Sequence, residues 1–549
     1  MSWMQMLCDT YDYALSCGAA RRQPNPLPEI GFVVERAAIE VWLDKDGLFQ
    51  DAISPSPEDC YTMVPCTPES GVARGAPVKP HPIFDKAKYL GTPEQLELLC
   101  QWCNEPDTPA PVQLVYTYLK TGTLLADLGE CLTKKDVKWS EGDLVRFCVT
   151  DGSLESPNLW QREDVLESWR QRFRRLCALL ESGECYVTGK TGALAAKHPF
   201  GTGTAMLISM MNQNCAGRFE SSAGEAVAVG LESTMKAHSA RKWLMSRQGT
   251  NVFGLEFLAW DTRGFAAPNP LEYDPDEDVI ADTGATDGGA LAAGTWGRWS
   301  GPLGRVMDAR SDMRSTVVIL SVDCATPGRA SIVYYQEFEP KDYIENLSSW
   351  YDSCKWIKSV KGDDGQRRER AFTPKPRDIE DLLYGPGGAE GQKKLKKQLV
   401  KELLPCISAR RPLPAPLVMA AFRKTVNALS FKDRNGRWDE WAWRNALSIT
   451  CALSRKYAID KGDERPMSLC ETERDRDYLF GRLLAVADEI EQKALKQGES
   501  SRTTNATRYM NRFQQRPGET WTMLRCQKLQ PYIDKLPPSA RSWYQGRLC

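Results

Sequence analysis

FTPKPRDIEDLLYGPGGAEGQ, residues 372–392, separates two kinds of pattern. Prolines at 374 and 376 and the Gly385-Pro386-Gly387-Gly388 run mark it as a linker. Before it the chain alternates apolar and polar residues around turn signals, which is the signature of strands and hairpins. Beyond it apolar residues recur at helical spacing and the strand signals vanish. The expected class is therefore α+β. A mixed α/β N-terminal body with β-hairpins (1–390) precedes an all-α C-terminal helical bundle (391–549). At roughly 150 residues per domain, 549 residues allow two to four domains.

Working outward toward the N-terminus, IGFVVERAAIEVWL (30–43), the Asp44-Lys45-Asp46-Gly47 turn and LFQDAI (48–53) read as a hairpin, with Gly47 supplying positive φ. Ser54 to Pro82 is too polar and too broken for a regular element. Residues 93–119 read as helical, interrupted at Pro109 and Pro111. In 160–180, Trp160, Val165, Leu166, Trp169, Phe173, Leu176 and Leu180 form an apolar stripe, and Arg170, Arg172, Arg174 and Arg175 read as its solvated face. ECYVT (184–188) is expected as a strand, 231–247 as a helix and VFGLEFLAW (252–260) as a strand. Residues 262–315 read as a flexible insertion. TVVILSV (316–322) and ASIVYYQ (330–336) should pair around Thr326-Pro327-Gly328-Arg329.

Composition excludes several classes. Apolar residues at 42% and charged residues at 26% fit a soluble globular protein. No apolar run approaches the length of about 18 residues that a membrane span needs. Asp9 and Asp12 interrupt the N-terminal stretch MSWMQMLCDTYDYAL, so it does not read as a signal peptide, and a cytoplasmic or nuclear location is expected. The 18 cysteines read as scattered free thiols, and Cys100-Gln-Trp-Cys103 has no second ligand pair to complete a zinc site. Gly183 to Gly189 encloses five residues where a phosphate-binding loop needs four, and Val279 stands where a calcium loop needs glycine. The expectation is a non-catalytic binding protein with no metal and no cofactor. Two alternatives stay open: a metal-dependent nuclease using scattered carboxylates, and an assembly scaffold without direct DNA contact.

The net charge of −1 hides an asymmetry. Residues 391–549 carry 31 Lys and Arg against 17 Asp and Glu, a net of +14, which leaves −15 for the rest. Arg508, Arg512 and Arg516 are four apart and lie beside Tyr509 and Phe513. Steps of four advance by about 40° on a helix, so the three share one sector. Basic stripes with aromatics suit single-stranded nucleic acid, and a plain solvated helix face is the competing reading.

Several segments resemble one family, the large subunit of the type I-C CRISPR interference complex (Cascade), of Csd type. They are the opening MSWMQMLCDTYDYAL, VPCTPESGVARGAPVKPHPIFDKAKYLG (64–91), CYVTGKTGALAAKHP (185–199) and GRFESSAGEAVAVGLESTMKAHSARKWLMSRQG (217–249). ATPGRASIVYYQEF, LLPCISARRPLPAPLV, RDYLFGRLLAVADEIEQKAL and RYMNRFQQRPGETWTMLRCQKLQPYIDKL continue the likeness in order to the end.

The resemblance implies a subunit at the foot of the complex, near the 5′ handle of the guide CRISPR RNA. It implies reading of the protospacer-adjacent motif (PAM) in double-stranded DNA, help with opening the target into an R-loop, and recruitment of a separate helicase-nuclease. The C-terminal bundle resembles the Cascade small subunit, and an internal start, with Met419 favoured, could yield that subunit separately. Other Cascade backbone and small subunits are the expected partners, with no membrane. Three contact sites are expected on this basis. In the Ser70–Phe84 loop, Ser70, Arg74, Lys79, His81 and Phe84 would approach duplex, unless the loop is only a surface connection. Gly189, Lys190, Lys197 and His198 would meet phosphates of the guide handle or target, unless they form only a tight turn. Arg508, Arg512 and Arg516 would meet the displaced single strand.

Overall fold

In the computed structural model the Asp44–Gly47 turn closes as its chemistry dictates. The Asp44 carboxylate accepts from the Asp46 and Leu48 amides at 2.9 Å each, and Gly47 takes φ 77°. The structure describes residues 2–18, 25–72, 78–152, 155–203, 205–208, 227–263, 267–272, 315–326, 328–361, 367–387, 389–463, 466–496 and 503–548. Arg74 and nearly all of the 262–315 segment lie outside them.

The turn joins strands β2 (Ile39–Leu43) and β3 (Phe49–Ile53), but the long alternating run before it is two strands. β1 (Phe32–Arg36) leaves to pair with β4 (Tyr61–Pro65). The break falls at Ala37 and Ala38, whose amides go to Cys60 and Leu144 carbonyls in different neighbours. β5 (Asp85–Lys86) and β6 (Leu144–Val149) complete a four-stranded sheet of order β3-β2-β6-β5, with β2 and β6 parallel. Helices Pro93–Cys103, Ala110–Lys120 and Leu124–Lys134 pack around its core, and the expected break separates the first two, with Pro109 as the N-cap of the second.

Every residue of β6 is buried, including Arg146. Its guanidinium reaches Glu40 at 2.7 Å and Asp59 at 3.0 Å and lies 3.6 Å over the Trp160 ring. A buried cation is tolerable only when paired in this way.

Helix Glu163–Ala178 carries the expected apolar stripe, and Trp169 donates to the Gly31 carbonyl at 2.8 Å. Gly31 takes φ 90°, and a Cβ there would sit 2.8 Å from the Phe173 ring, so only glycine fits. The solvated-face reading holds for Arg174 and Arg175, which are exposed, but not for Arg170 or Arg172. Arg170 bonds Glu29 and Glu163 at 2.7 Å and Glu167 at 3.0 Å, while Arg172 is buried against Glu105.

β7 (Ser182–Glu184) pairs with β8 (Thr191–Ala193). The strand expected at 184–188 is instead mostly the turn between them. A larger sheet contains β9 (Phe200–Thr202), β10 (Ala205–Met206), β11 (Thr250–Val252), β12 (Leu255–Asp261), β13 (Val317–Thr326) and β14 (Arg329–Phe338), in the order β11-β12-β13-β14-β10-β9. The expected β13–β14 hairpin is present. Helices Trp3–Ser16 and Leu231–Gln248 share a core with this sheet through Leu7, Tyr11, Ala240, Leu244, Trp260 and Leu320.

These elements form one compact unit, Met1–Ala267 with Met313–Pro340; the second is Pro268–Asp312 with Lys341–Cys549. The division at 340/341 precedes the boundary expected near 391. The linker-like stretch itself contains helix Pro376–Tyr384, whose Ile379 and Leu382 are buried. In the second unit β15 (Trp356–Lys361) and β16 (Arg367–Phe372) form a separate two-stranded ribbon.

Helices follow from Glu390 onward. Arg476–Lys496 collects the later ones over Leu484, Ile490, Phe513, Leu529 and Tyr544. Met419 lies inside helix Ala415–Val426, so a product starting there would lose that helix's first turn. With 49% helix and 18% strand, the chain is an α+β mix. Among the described residues no helix is long and apolar enough to cross a membrane, and every cysteine is a free thiol.

Candidate nucleic-acid interface

The turn after β4 is built by hydroxyls. Ser70 Oγ accepts from the Thr67 amide at 2.9 Å, and His81 Nδ1 lies 3.0 Å from the same oxygen. The His81 amide donates to Asp85 Oδ2 at 2.7 Å, and Gln95 donates to the Pro82 carbonyl at 2.7 Å. Phe84 is fully buried beside Phe147, with ring centroids 6.5 Å apart. This corrects three of the expected contacts. Ser70, His81 and Phe84 latch the segment to the core and present nothing to a duplex. Lys79 is exposed, 3.9 Å from Glu69. Arg74, the other expected cation here, lies outside the described residues.

The second segment is a tight turn whose amides are engaged. Gly189, at φ 67°, donates to the Cys185 carbonyl at 2.7 Å, and Cys185 donates to the Lys190 carbonyl at 2.9 Å. The Gly230 amide points at Cys185 Sγ, 3.1 Å away, and Ser233 Oγ lies 3.4 Å from it. Burial pushes this thiol up, but the Ser233 hydroxyl and the Gly230, Val187 and Thr188 amides outweigh it and pull Cys185 down to about 7. The expectation that Gly189 offers an open amide to phosphate is therefore corrected.

His198 is corrected as well. It is buried with Nδ1 3.0 Å from Thr234 Oγ1, and desolvation pushes it down to about 4, so it carries no charge near neutral pH. His238 continues the chain, its Nδ1 2.8 Å from the Thr234 carbonyl, and is pushed down to about 3. Lys190 and Lys197 are exposed.

The two segments meet. Cys66 and Val72 from the first pack with Ala195 from the second around Phe173, Leu231 and Met235. Glycine at 71 permits this approach, since a Cβ there would fall 2.6 Å from Cys66 Sγ. No spacing rule announces that meeting, because it depends on helix Leu231–Gln248 packing between segments more than a hundred residues apart. The same helix supplies a residue missed from sequence. Arg241 is buried, bonding the Gly201 carbonyl and Glu256.

The third segment belongs to the second unit. Thr504 caps helix Asn505–Gln515 by accepting from the Thr507 amide at 3.1 Å. Phe513 faces inward against Phe480, centroids 6.0 Å apart, while Arg508 and Arg512 are exposed. Arg516 departs from the expected shared sector. It caps the helix with φ −138° and ψ 69°, outside the helical repeat, and lies 3.5 Å from Glu519.

Among the described residues no three His, Cys, Asp or Glu side chains converge as a metal site. No curated protein matches the chain. A family described as CRISPR-associated protein (Cas_Csd1) does match, over residues 7–548.

Proposed function

Because the chain belongs to the CRISPR-associated Cas_Csd1 family, we propose that it is the large subunit of a type I-C RNA-guided surveillance complex. In this reading it recognises the PAM in double-stranded DNA, contacts the guide handle, helps form the R-loop and recruits a separate helicase-nuclease. It performs no catalysis itself. Guide pairing reads the target sequence, and protein contacts are limited to motif and backbone. The observation that carries the reading is the family match across nearly the whole chain. The exposed Lys79, Lys190, Lys197, Arg508 and Arg512 are compatible with backbone contacts.

The test is a motif-depletion screen in cells carrying the whole complex, with and without this chain. Loss of motif preference on its removal is expected. Retained preference, or cutting of labelled DNA by the purified chain with Mg²⁺ or Mn²⁺, would overturn the reading. Absence of crosslinks from this chain to target DNA in the assembled complex would reduce it to a scaffold.

A further inference from the structure

The connection between helices Ala415–Val426 and Glu440–Asp460 is a small hairpin that turns three cations outward. Lys432 bridges to Trp438 in antiparallel register. The Asp433 carboxylate accepts from the Asn435 and Arg437 amides at 2.8 Å each, and Gly436 takes φ 75°. The root is tied down. The Trp438 indole donates to the Ala428 carbonyl at 3.1 Å, and the Asp439 amide donates to the Phe431 carbonyl at 2.9 Å.

Lys432, Arg434 and Arg437 are all exposed, and among the described residues none of their side chains pairs with a carboxylate. The nearby acids are engaged elsewhere. Asp433 holds the loop amides, Asp439 caps the next helix by accepting from the Ala442 amide at 2.9 Å, and Glu440 pairs with Arg444 at 2.7 Å. Beside the hairpin, Trp441 is 44% exposed. Trp438 and Trp443 direct their indole N–H groups to the Ala428 and Thr425 carbonyls, and Trp441 has no such bond among the described residues. Helix Asn505–Gln515, with Arg508 and Arg512 exposed, packs against Ala428–Ser430 at the hairpin's root. Unneutralised cations and an open indole therefore share one region of the second unit.

Cations of this kind bind phosphates, and an exposed indole offers a face on which an unpaired base stacks. In a duplex the bases already stack on one another, so the indole would find no partner there. We propose that the hairpin and Trp441 form a surface for single-stranded nucleic acid, with phosphates on Lys432, Arg434 and Arg437 and a base on Trp441. This rests on the R-loop reading above for the origin of an unpaired strand, and adds the element that holds it irrespective of sequence. The experiment uses the full-length chain and labelled oligomers of thymidine or uridine, about 20 nucleotides long, with affinity followed against salt. Replacing Lys432, Arg434 and Arg437 by glutamine should flatten the log–log salt slope by about two units, at about −0.7 per phosphate. Trp441→Ala should weaken binding at least about fivefold with the slope unchanged, and Trp441→Phe should restore most of the loss. Both sets of variants should keep the parent's thermal midpoint.

Loss on the thymidine oligomer assigns the surface to DNA, and loss on the uridine oligomer alone assigns it to RNA. An unchanged slope on both, a lowered midpoint for Trp441→Ala, or an equal effect of Trp441→Ala on a duplex of the same length would each overturn the inference. The two readings fail separately. If the reconstituted complex discriminates the motif while the triple variant keeps the parent's slope, only the hairpin surface falls. If the complex shows no motif discrimination while the oligomer losses persist, the complex-level reading falls and the single-strand surface stands.

Discussion

The buried, paired arginines of the first unit contrast with the exposed pair Arg508 and Arg512 on one helix of the second. In the first unit Arg146, Arg162, Arg170, Arg172 and Arg241 each meet at least one carboxylate of the same unit. In the second, Arg410 and Arg444 likewise meet Glu345 and Glu440, but Arg508 and Arg512 stand exposed on a helix whose Phe513 is buried in the core. A cation already paired within its own unit is a structural part, whatever its position in a basic run. Charge excess therefore locates a candidate interface only where the fold leaves it unneutralised.

The largest test of that contrast removes a partner from the first unit. Glu40→Ala leaves buried Arg146 with only the half-exposed Asp59 carboxylate as an anionic partner, and loss of about 3 kcal/mol is expected. Hydrogen exchange should rise in β2 and β6 and stay unchanged in helix Arg476–Lys496. Equal loss of protection in both would break the division between the units.

The next test uses pH, because all three histidines lie in the first unit. His198 sits at about 4 in the folded chain against an ordinary 6.5. Between those values the unfolded chain binds a proton that the folded chain refuses, so stability falls as pH drops from 6.5 toward 4. The loss amounts to roughly 3 kcal/mol. His198→Gln should remove that share of the pH dependence in denaturant titrations; a variant with the parent's full slope would show that His198 is not the group responsible.

Smaller effects sharpen the second unit. Thr504→Ala removes the cap of helix Asn505–Gln515 and should lower stability by about 1 kcal/mol, seen as faster exchange in its first turn. Replacing Arg508, Arg512 and Arg516 by glutamine should change stability by no more than about 0.5 kcal/mol. If the three neutralise phosphates of a single strand, the same change flattens the salt slope of target binding by about two units. The Glu519 pairing of Arg516 makes a loss nearer one and a half units the expected figure, with Arg508 and Arg512 supplying it. An unchanged slope would assign the stripe to solvent or to contacts between subunits.

Much of this was legible beforehand. The Asp44–Gly47 turn, the β13–β14 hairpin, the paired helices around Pro109 and the capped helix ahead of Pro517 all follow from local chemistry. The candidate site was legible only in part. Lys79, Lys190, Lys197, Arg508 and Arg512, chosen by residue type, are exposed, whereas Ser70, His81, Phe84 and His198, chosen the same way, are buried. Polar residues in glycine-rich loops look alike in sequence whether they face a ligand or latch the loop to its core.

Sequence alone determined the α+β class, the helical character after residue 390, the uneven charge and the family, since each depends on periodicity, composition or motif order along the chain. Tertiary structure decided the rest. It set which arginines are neutralised, which histidines are desolvated into neutrality, where IGFVVERAAIEVWL breaks between two sheets, and that the 66–72 and 193–195 segments meet. Those outcomes depend on which distant segments share a low-dielectric interior. Burial and pairing are properties of that shared interior, and a linear pattern does not contain them.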